Sequence, residues 1–263
     1  MAKALAEFVD FAHQLANAAS AVTLPLFRSK LAAEHKGSAA FDPVTKADRD
    51  AEAAMRSLIE ARYPSHGIVG EEFGETNAGA EFTWVLDPID GTRPFILGLP
   101  QWGTLVGLTH KGKPLLGVMD QPFTGERFWN DEKAAWFRGP LGPLVRCQTR
   151  TGVALGDAFL TASSPDMFDA SQAARFSALA GSVRMRRFGG DCYAYCMLAL
   201  GHIDIVAEAS LKPFDIAPLI PIIEKAGGVV QTWDGADAAS GGACVACGDP
   251  QLLPAVLAGL AVV

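Results

Sequence analysis

Residues 84–104 read WVLDPIDGTRPFILGLPQWGT. The apolar run Phe82 to Leu86 predicts a buried strand that stops at Asp87, because Pro88 has no N–H with which to continue a central strand. Asp87 and Asp90 flank this turn, and Gly91 and Thr92 follow at once. Two carboxylates at the end of a buried strand are costly unless a cation neutralises them. Gly91 allows close approach of the backbone to a ligand, and the N–H groups of a following helix start favour an anion. Cation ligands and an anion cradle thus fall together between Asp87 and Thr92, a combination that points to metal-assisted chemistry on a phosphate. Taken alone, the segment has a second reading, a strand-to-turn junction whose acids cap backbone N–H groups.

Upstream, Ile68-Val69 reads as a short strand running into Gly70-Glu71-Glu72-Phe73-Gly74. Adjacent acids after a strand suit a solvated loop. They also make a second acidic strand terminus, and hard oxygen ligands gathered from separate strand ends are what Mg²⁺ coordination requires. Before them comes FDPVTKAD, residues 41–48, where Thr45 or Asp48 can cap a helix through Ala51, Met55, Leu58 and Ile59. For Asp48 a cap and a catalytic role are both open. An EF-hand loop is excluded, since Val44 and Lys46 stand where oxygen ligands are needed. Leu5, Phe8, Leu15, Ala19 and Val22 recur at helical spacing over residues 4–28, and Gly37 to Ala40 reads as a loose loop.

Downstream, Leu105–Leu108, Pro114–Met119 and Arg127–Asn130 read as a strand meander. Gly139-Pro140-Leu141-Gly142-Pro143 is the best linker, so the expected division is 1–145, an α+β half, and 146–263, an α/β half. In the second half a short strand at 158–162, a helix over Ser164–Ala180 and a strand over Val183–Phe188 are expected. Gly189-Gly190 then introduces a helix from Asp191 to Gly201. Ile203 to Ala207 reads as a strand ending at Glu208. Asp215, an N-cap by local pattern, opens a helix to Ala226 in which Pro221 should remove one hydrogen bond. Val229-Val230, Cys244–Ala246 and the tail from Leu252 supply the last strands and helix.

The 263 residues are 49% hydrophobic and 19% charged, an ordinary globular balance. No apolar run approaches the roughly 18 residues of a membrane span, and no signal-peptide pattern is evident, so no membrane partner and a cytoplasmic location are expected. The net charge of −7 argues against nucleic acid as a partner. Five cysteines, an odd number, suit reduced thiols. Cys244-x-x-Cys247 lacks the second pair a zinc ribbon needs, and Cys192 and Cys196 lie one helical turn apart, so both pairs read as core thiols.

Four segments in order, DPVTKAD, GEE, DPIDGT and E-x6-D leading into a helix that ends AGG, resemble the inositol monophosphatase family over essentially the whole chain. FDPVTKAD, DGTRPFILGLPQWGTLVGL, GVMDQPFTGERF and GGDCYAYCMLALGHIDIVAEASLKPFD are most similar to its histidinol-phosphate phosphatase branch, with Phe214-Asp215 where the inositol type more often has Trp-Asp. Pro94, Pro218 and Pro221 depart from the common pattern. The resemblance implies the layered α-β-α-β-α sandwich of the sugar phosphatases, of the inositol monophosphatase and fructose-1,6-bisphosphatase type. It implies lithium-sensitive, Mg²⁺-dependent phosphomonoester hydrolysis with two or three ions per site, Mn²⁺ being an alternative. Carried over, Glu71, Asp87, Asp90, Asp215 and the carbonyl of Ile89 hold metal, and Gly91 and Thr92 bind phosphate. Asp48, Thr92 and Glu71 activate water for direct attack, without a phosphoenzyme, and Asp191, Glu208 and Arg187 contact the leaving alcohol. Histidinol phosphate is the expected substrate, with inositol 1-phosphate or another small sugar or nucleotide phosphate as the alternative. A metal-binding pseudo-phosphatase is the non-enzymatic alternative. A homodimer is expected by analogy.

Overall fold

The apolar repeat at the N-terminus forms α1 (Ala2–Leu26), and after β1 (Glu34–His35) and β2 (Pro43–Val44) the chain enters α2 (Lys46–Arg62). The computed structural model describes residues 2–29, 34–35, 43–44 and 46–261. The loop read at Gly37–Ala40 and the cap read at Thr45 lie outside the described residues. Next come β3 (Gly67–Gly70), β4 (Gly74–Thr76), β5 (Phe82–Asp90), the short α3 (Thr92–Leu97), β6 (Gly103–His110), β7 (Lys113–Gln121), β8 (Glu126–Asn130), β9 (Ala135–Arg138) and β10 (Val145–Arg146). Eight of these strands form one sheet in the order β10-β9-β8-β7-β6-β5-β3-β4. Only β3 and β5 pair in parallel within it. Gly139–Pro143 falls in the connection between β9 and β10.

The remaining chain supplies β11 (Phe159–Ala162), α4 (Ala170–Ala180), β12 (Met185–Phe188), α5 (Asp191–Ala199), β13 (Ile205–Leu211), α6 (Pro213–Ile216), α7 (Leu219–Ala226), β14 (Val229–Thr232), β15 (Gly242–Cys247) and α8 (Leu253–Ala261). Its five-stranded sheet runs β12-β11-β13-β15-β14.

Strand periodicity sorts these elements into layers. On β6 and β7, Val106, Leu108, Leu116 and Val118 pack with Leu15, Met55 and Ile59 of α1 and α2. Their neighbours Leu105 and Met119 face the other way, onto Tyr195, Leu198, Leu219 and Ile223 of α5 and α7. In the second sheet Val206, Cys244 and Ala246 close that same middle layer, while Ala207, Val245 and Cys247 pack outward on Phe176, Leu179 and Val256 of α4 and α8. The result is the α-β-α-β-α sandwich. All five cysteines are buried and unpaired, as core thiols should be.

Several boundaries differ from the sequence reading, each for a local reason. β5 does not stop at Asp87 but continues through Pro88 to Asp90. Its parallel partner β3 ends opposite Leu86, and its register to β6 jumps from Asp87↔Leu105 to Asp90↔Gly103, so Pro88 sits in a bulge where no ladder N–H is required. β13 likewise runs past Glu208 to Leu211, with a register shift between them. α4 begins only at Ala170, where Asp169 and Gln172 form a capping box, and a single 3₁₀ turn precedes it. The helix expected from Asp215 to Ala226 is two helices broken at Ala217-Pro218. Pro221 is the third residue of α7, where its missing N–H would have had no helical acceptor, so no bond is lost.

The break has a purpose in packing. Gly107 and Gly117 are cross-strand partners on β6 and β7, and a Cβ on Gly117 would lie 1.6 Å from the carbonyl oxygen of Pro218. The glycine pair is a slot for the α6–α7 corner, which brings Asp215 back toward β5.

Candidate active site

The bulge in β5 turns its carboxylates into a cleft between the two sheets. Asp87 is buried, and its Oδ1 accepts the N–H of Ile89 at 3.0 Å. The carbonyl of Pro88 accepts the Thr104 hydroxyl at 2.8 Å, which pins the bulge to β6. Asp90 Oδ2 accepts the N–H of Cys192, at the start of α5, at 2.6 Å. That N–H is aimed by three consecutive residues with positive φ: Gly189 at 96°, Gly190 at 131° and Asp191 at 44°. Only glycine adopts the first two cheaply, which explains the Gly-Gly-Asp sequence. Asp215 is the third residue of α6 and not its cap; its Oδ2 reaches back to the N–H of Lys212 at 2.7 Å.

Ligand oxygens of Asp87, Asp90 and Asp215 lie within 4.8 Å of one another, and those of Asp48, Glu71 and Glu72 form a second such group. Asp48 is buried in the first turn of α2, and Glu71 follows β3 with its N–H bonded to the Leu86 carbonyl. Gly91, at φ 84°, starts α3, and Thr92 is the first helical residue, its hydroxyl donating to the Ile89 carbonyl at 3.2 Å. A Cβ on Gly91 would lie 2.9 Å from the Gln101 carbonyl, so the tight turn needs glycine.

The cleft encloses about 160 Å³ and is lined by six carboxylates, those of Glu71, Asp87, Asp90, Asp191, Glu208 and Asp215, with no basic residue among the described residues of its wall. Electrostatics follow from that composition. Burial pushes the Asp87 carboxyl well above its usual range, and Glu71, Asp90 and Asp215 push it further. Asp90 is raised by burial and by Asp191 and Asp215, the Cys192 N–H opposing them. Burial lifts Asp191 to about 7, with Glu208 adding to it. Asp215 also rises to about 7 through burial, against the Lys212 N–H. An all-oxygen, multiply anionic donor set of this kind suits a hard divalent cation. The described residues therefore include acidic clusters able to bind metal.

Glu208 lines the cleft, but both its oxygens are engaged. Oε1 accepts the N–H of Ser163 at 2.7 Å and also the Ser163 hydroxyl, and Oε2 accepts the Tyr195 hydroxyl at 2.9 Å. Arg187 is exposed and does not reach the carboxylate cleft. It lines an adjoining hollow of about 500 Å³ with Arg93, Leu97, Asp166, Phe188 and Asp191, and Ser163, Met167 and Asp191 belong to both spaces. Ser163, Tyr195 and Met167 were not legible in the sequence. Each stands in an unremarkable context, and only the parallel pairing of β11 with β13 sets Ser163 beside Glu208.

Comparison with known proteins gives this geometry a family. A chloroplastic bifunctional phosphatase of Arabidopsis thaliana is 40% identical over 238 residues, 88% of this chain and 66% of that protein, so the chain spans just under two thirds of that relative's length. A histidinol-phosphatase of Mycobacterium tuberculosis is 34% identical over 211 residues, covering 78% of this chain and 79% of that one. Among solved structures, an inositol monophosphatase from Zymomonas mobilis superposes with a TM-score of 0.88 at 38% identity, covering 98% of this chain and 99% of its own. The model of the inositol monophosphatase family matches residues 4–261. A chain matched from its first helix to its last, with oxygen ligands gathered at a bulged strand end, is thus a phosphatase of the inositol monophosphatase family.

Proposed function

We propose that this protein is a Mg²⁺-dependent phosphomonoesterase that hydrolyses histidinol phosphate to histidinol and phosphate. The observation that carries the metal requirement is the Asp87–Asp90–Asp215 group, whose ligand oxygens converge within 4.8 Å in a cleft lined by six carboxylates. Such a group is stable as carboxylates only around a cation. Glu71, Asp87, Asp90, Asp215 and the Ile89 carbonyl would hold Mg²⁺, with Asp48 and Glu72 adjacent. When bound, the metal supplies Lewis-acid polarisation of the ester and a lowered pKa for attacking water.

The chain's own residues do the rest. The N–H groups of Gly91 and Thr92 orient phosphate oxygens at the start of α3. The Thr92 hydroxyl passes a proton from the attacking water toward Asp48, buried in the first turn of α2. No side chain is needed as a covalent nucleophile. On the leaving-group side, Asp191 offers a carboxylate to an amine or imidazole by charge-assisted hydrogen bonding. Glu208 holds Ser163 and Tyr195 in the wall beside it, and Arg187 faces the outer part of the hollow. The hollow of about 500 Å³ sets Asp166 and Asp191 against Arg93 and Arg187, with Arg93 3.8 Å from Asp166, so it is Asp191, shared with the carboxylate cleft, together with Leu97, Leu99 and Phe188 that supports a cationic group on a planar ring there. The 34% identity to three proteins named histidinol-phosphatase supports the same substrate.

A second reading, inositol 1-phosphate, is favoured by the 38% identity to the Zymomonas inositol monophosphatase. Phosphate release by purified protein with Mg²⁺, on histidinol phosphate and on myo-inositol 1-phosphate with an EDTA control, separates the two. The expected result is a kcat/KM at least about tenfold higher on histidinol phosphate, as hydrogen-bond-based discrimination gives. Comparable or higher activity on the inositol ester replaces the substrate assignment, and full activity in EDTA removes the metal.

A further inference from the structure

Outside the cleft, the most completely buried charge among the described residues is Glu52, whose side chain has no exposed surface and which the chemistry above does not use. It lies four residues after Asp48 and four before Arg56, so the three share one face of α2. Its carboxylate accepts the N–H of Glu72 at 2.7 Å and the N–H of Phe73 at 3.2 Å, the two peptides directly after Glu71. It also accepts Nε of Arg56 at 2.7 Å. Arg56 extends the grip along β4, donating to the Thr76 hydroxyl at 3.0 Å and to the Gly74 carbonyl. The backbone before Glu71 leaves no room for anything else: a Cβ on Gly70 would lie 2.0 Å from Glu52 Oε1. On its other side, Glu71 is tied through its own N–H to Leu86 of β5.

Glu71 is therefore held between two fixed points, the sheet on one side and the Glu52 carboxylate on the other. We infer that Glu52, neutralised by Arg56, is a positioning residue that sets Glu71 and Glu72 against Asp48 and so determines the affinity of the site for its divalent cation. Burying an ion pair gives little net stability compared with an apolar pair of the same shape, so its return is in geometry. A carboxylate is the group for this task because two converging N–H donors and a guanidinium all require acceptors. An amide offers one acceptor and points an N–H₂ group at one of the two peptides. This inference rests on the reading of Glu71 as a metal ligand.

Calorimetric titration with MgCl₂ of the wild-type protein, Glu52→Gln, Glu52→Asp and Met55→Ala tests it, with the melting temperature of each recorded. Met55 is a fully buried, apolar α2 residue of the core cluster shared with α1, so its truncation lowers the melting temperature without removing any hydrogen bond to Glu52 or Glu71. Glu52→Gln should weaken Mg²⁺ binding at least about tenfold, the loss typical of removing a group that orients a ligand. Glu52→Asp keeps the charge and the Arg56 pair but shortens the reach, and should fall between Gln and wild type; it decides the matter if the Gln variant does not fold. Met55→Ala should bind Mg²⁺ like the wild type despite its lower melting temperature. Wild-type affinity in both Glu52 variants, or a loss that Met55→Ala shares, overturns the inference while leaving the metal reading intact. Wild-type protein that binds no Mg²⁺ overturns the metal reading itself, and this inference with it.

Discussion

Glu52 and Asp87 are both sealed from solvent, yet they are held in opposite ways. Glu52 has a guanidinium at 2.7 Å and two peptide N–H groups, all within the molecule. Asp87 has one peptide N–H and is otherwise surrounded by the charges of Glu71, Asp90, Asp215 and Asp48. The contrast repeats along β13. Just before the strand Asp204, buried, receives Nε and Nη2 of Arg150 and the N–H of Phe159 at 2.7 Å. At the middle of the strand Glu208 faces the cleft and receives two hydroxyls and a peptide N–H. Burial of a carboxylate is therefore no mark of a site in this protein. Among the described residues, what separates Glu52 and Asp204 from Asp87 is the guanidinium that the chain supplies to each of the first two.

That distinction can be broken by experiment. The largest effect belongs to the cleft. Asp90→Asn should lower turnover by about 10³-fold, on the scale of losing a preorganised charge-stabilising group, with far-UV circular dichroism unchanged. Near-normal turnover with Mg²⁺ would sink the assignment of this carboxylate to metal. Next comes the scaffold. Arg150→Met strands the buried Asp204 and should cost about 3 kcal/mol in denaturant unfolding, while the Mg²⁺ concentration for half-maximal rate stays put. A shift in that concentration would show that the two classes of acid are not separable.

The smallest effect is on the pH dependence of the metal-free protein. Asp191 and Asp215 are lifted to about 7 in the fold, against 3.8 for an ordinary aspartate. The folded state thus binds more protons than the unfolded one between these values. Stability contributed by the protonated carboxyls is full near pH 4 and is lost as pH rises through about 7. In EDTA the melting temperature should decline gradually from about pH 5 to 8, because deprotonated acids repel one another. With Mg²⁺ present the decline should flatten or reverse, since metal binds the deprotonated form. A metal-free profile that climbs over this window would mean that the cleft acids are compensated within the chain.

The acids themselves were legible in the sequence because their spacing is local. D-P-x-D-G-T, G-E-E and E-x6-D each put carboxylates at a strand end or helix start, and apolar periodicity located α1, α2 and the β6–β8 meander. Pro88 does not end the strand, because the rule against proline in a central strand holds only where a ladder N–H is required. Whether one is required at residue 88 depends on where β3 ends, at Gly70, and on the β5–β6 bulge, which exists only once the two strands have paired. The single helix expected after Asp215 failed in the same way. The Ala217-Pro218 break answers to Gly107 and Gly117, about a hundred residues earlier and in the eight-stranded sheet.

The sequence by itself thus determined the chemistry on offer: which oxygens stand at which strand ends, how apolar the faces are, and to which family the pattern belongs. Tertiary structure alone decided which acids are compensated. Arg56 reaches Glu52 within one helix, but Arg150 reaches Asp204 across 54 residues, and the Cys192 N–H reaches Asp90 across 102. A charge's partner is set by distance in space, and the Coulomb and desolvation terms that distinguish a scaffold carboxylate from a metal-binding one exist only once the layers have closed around them.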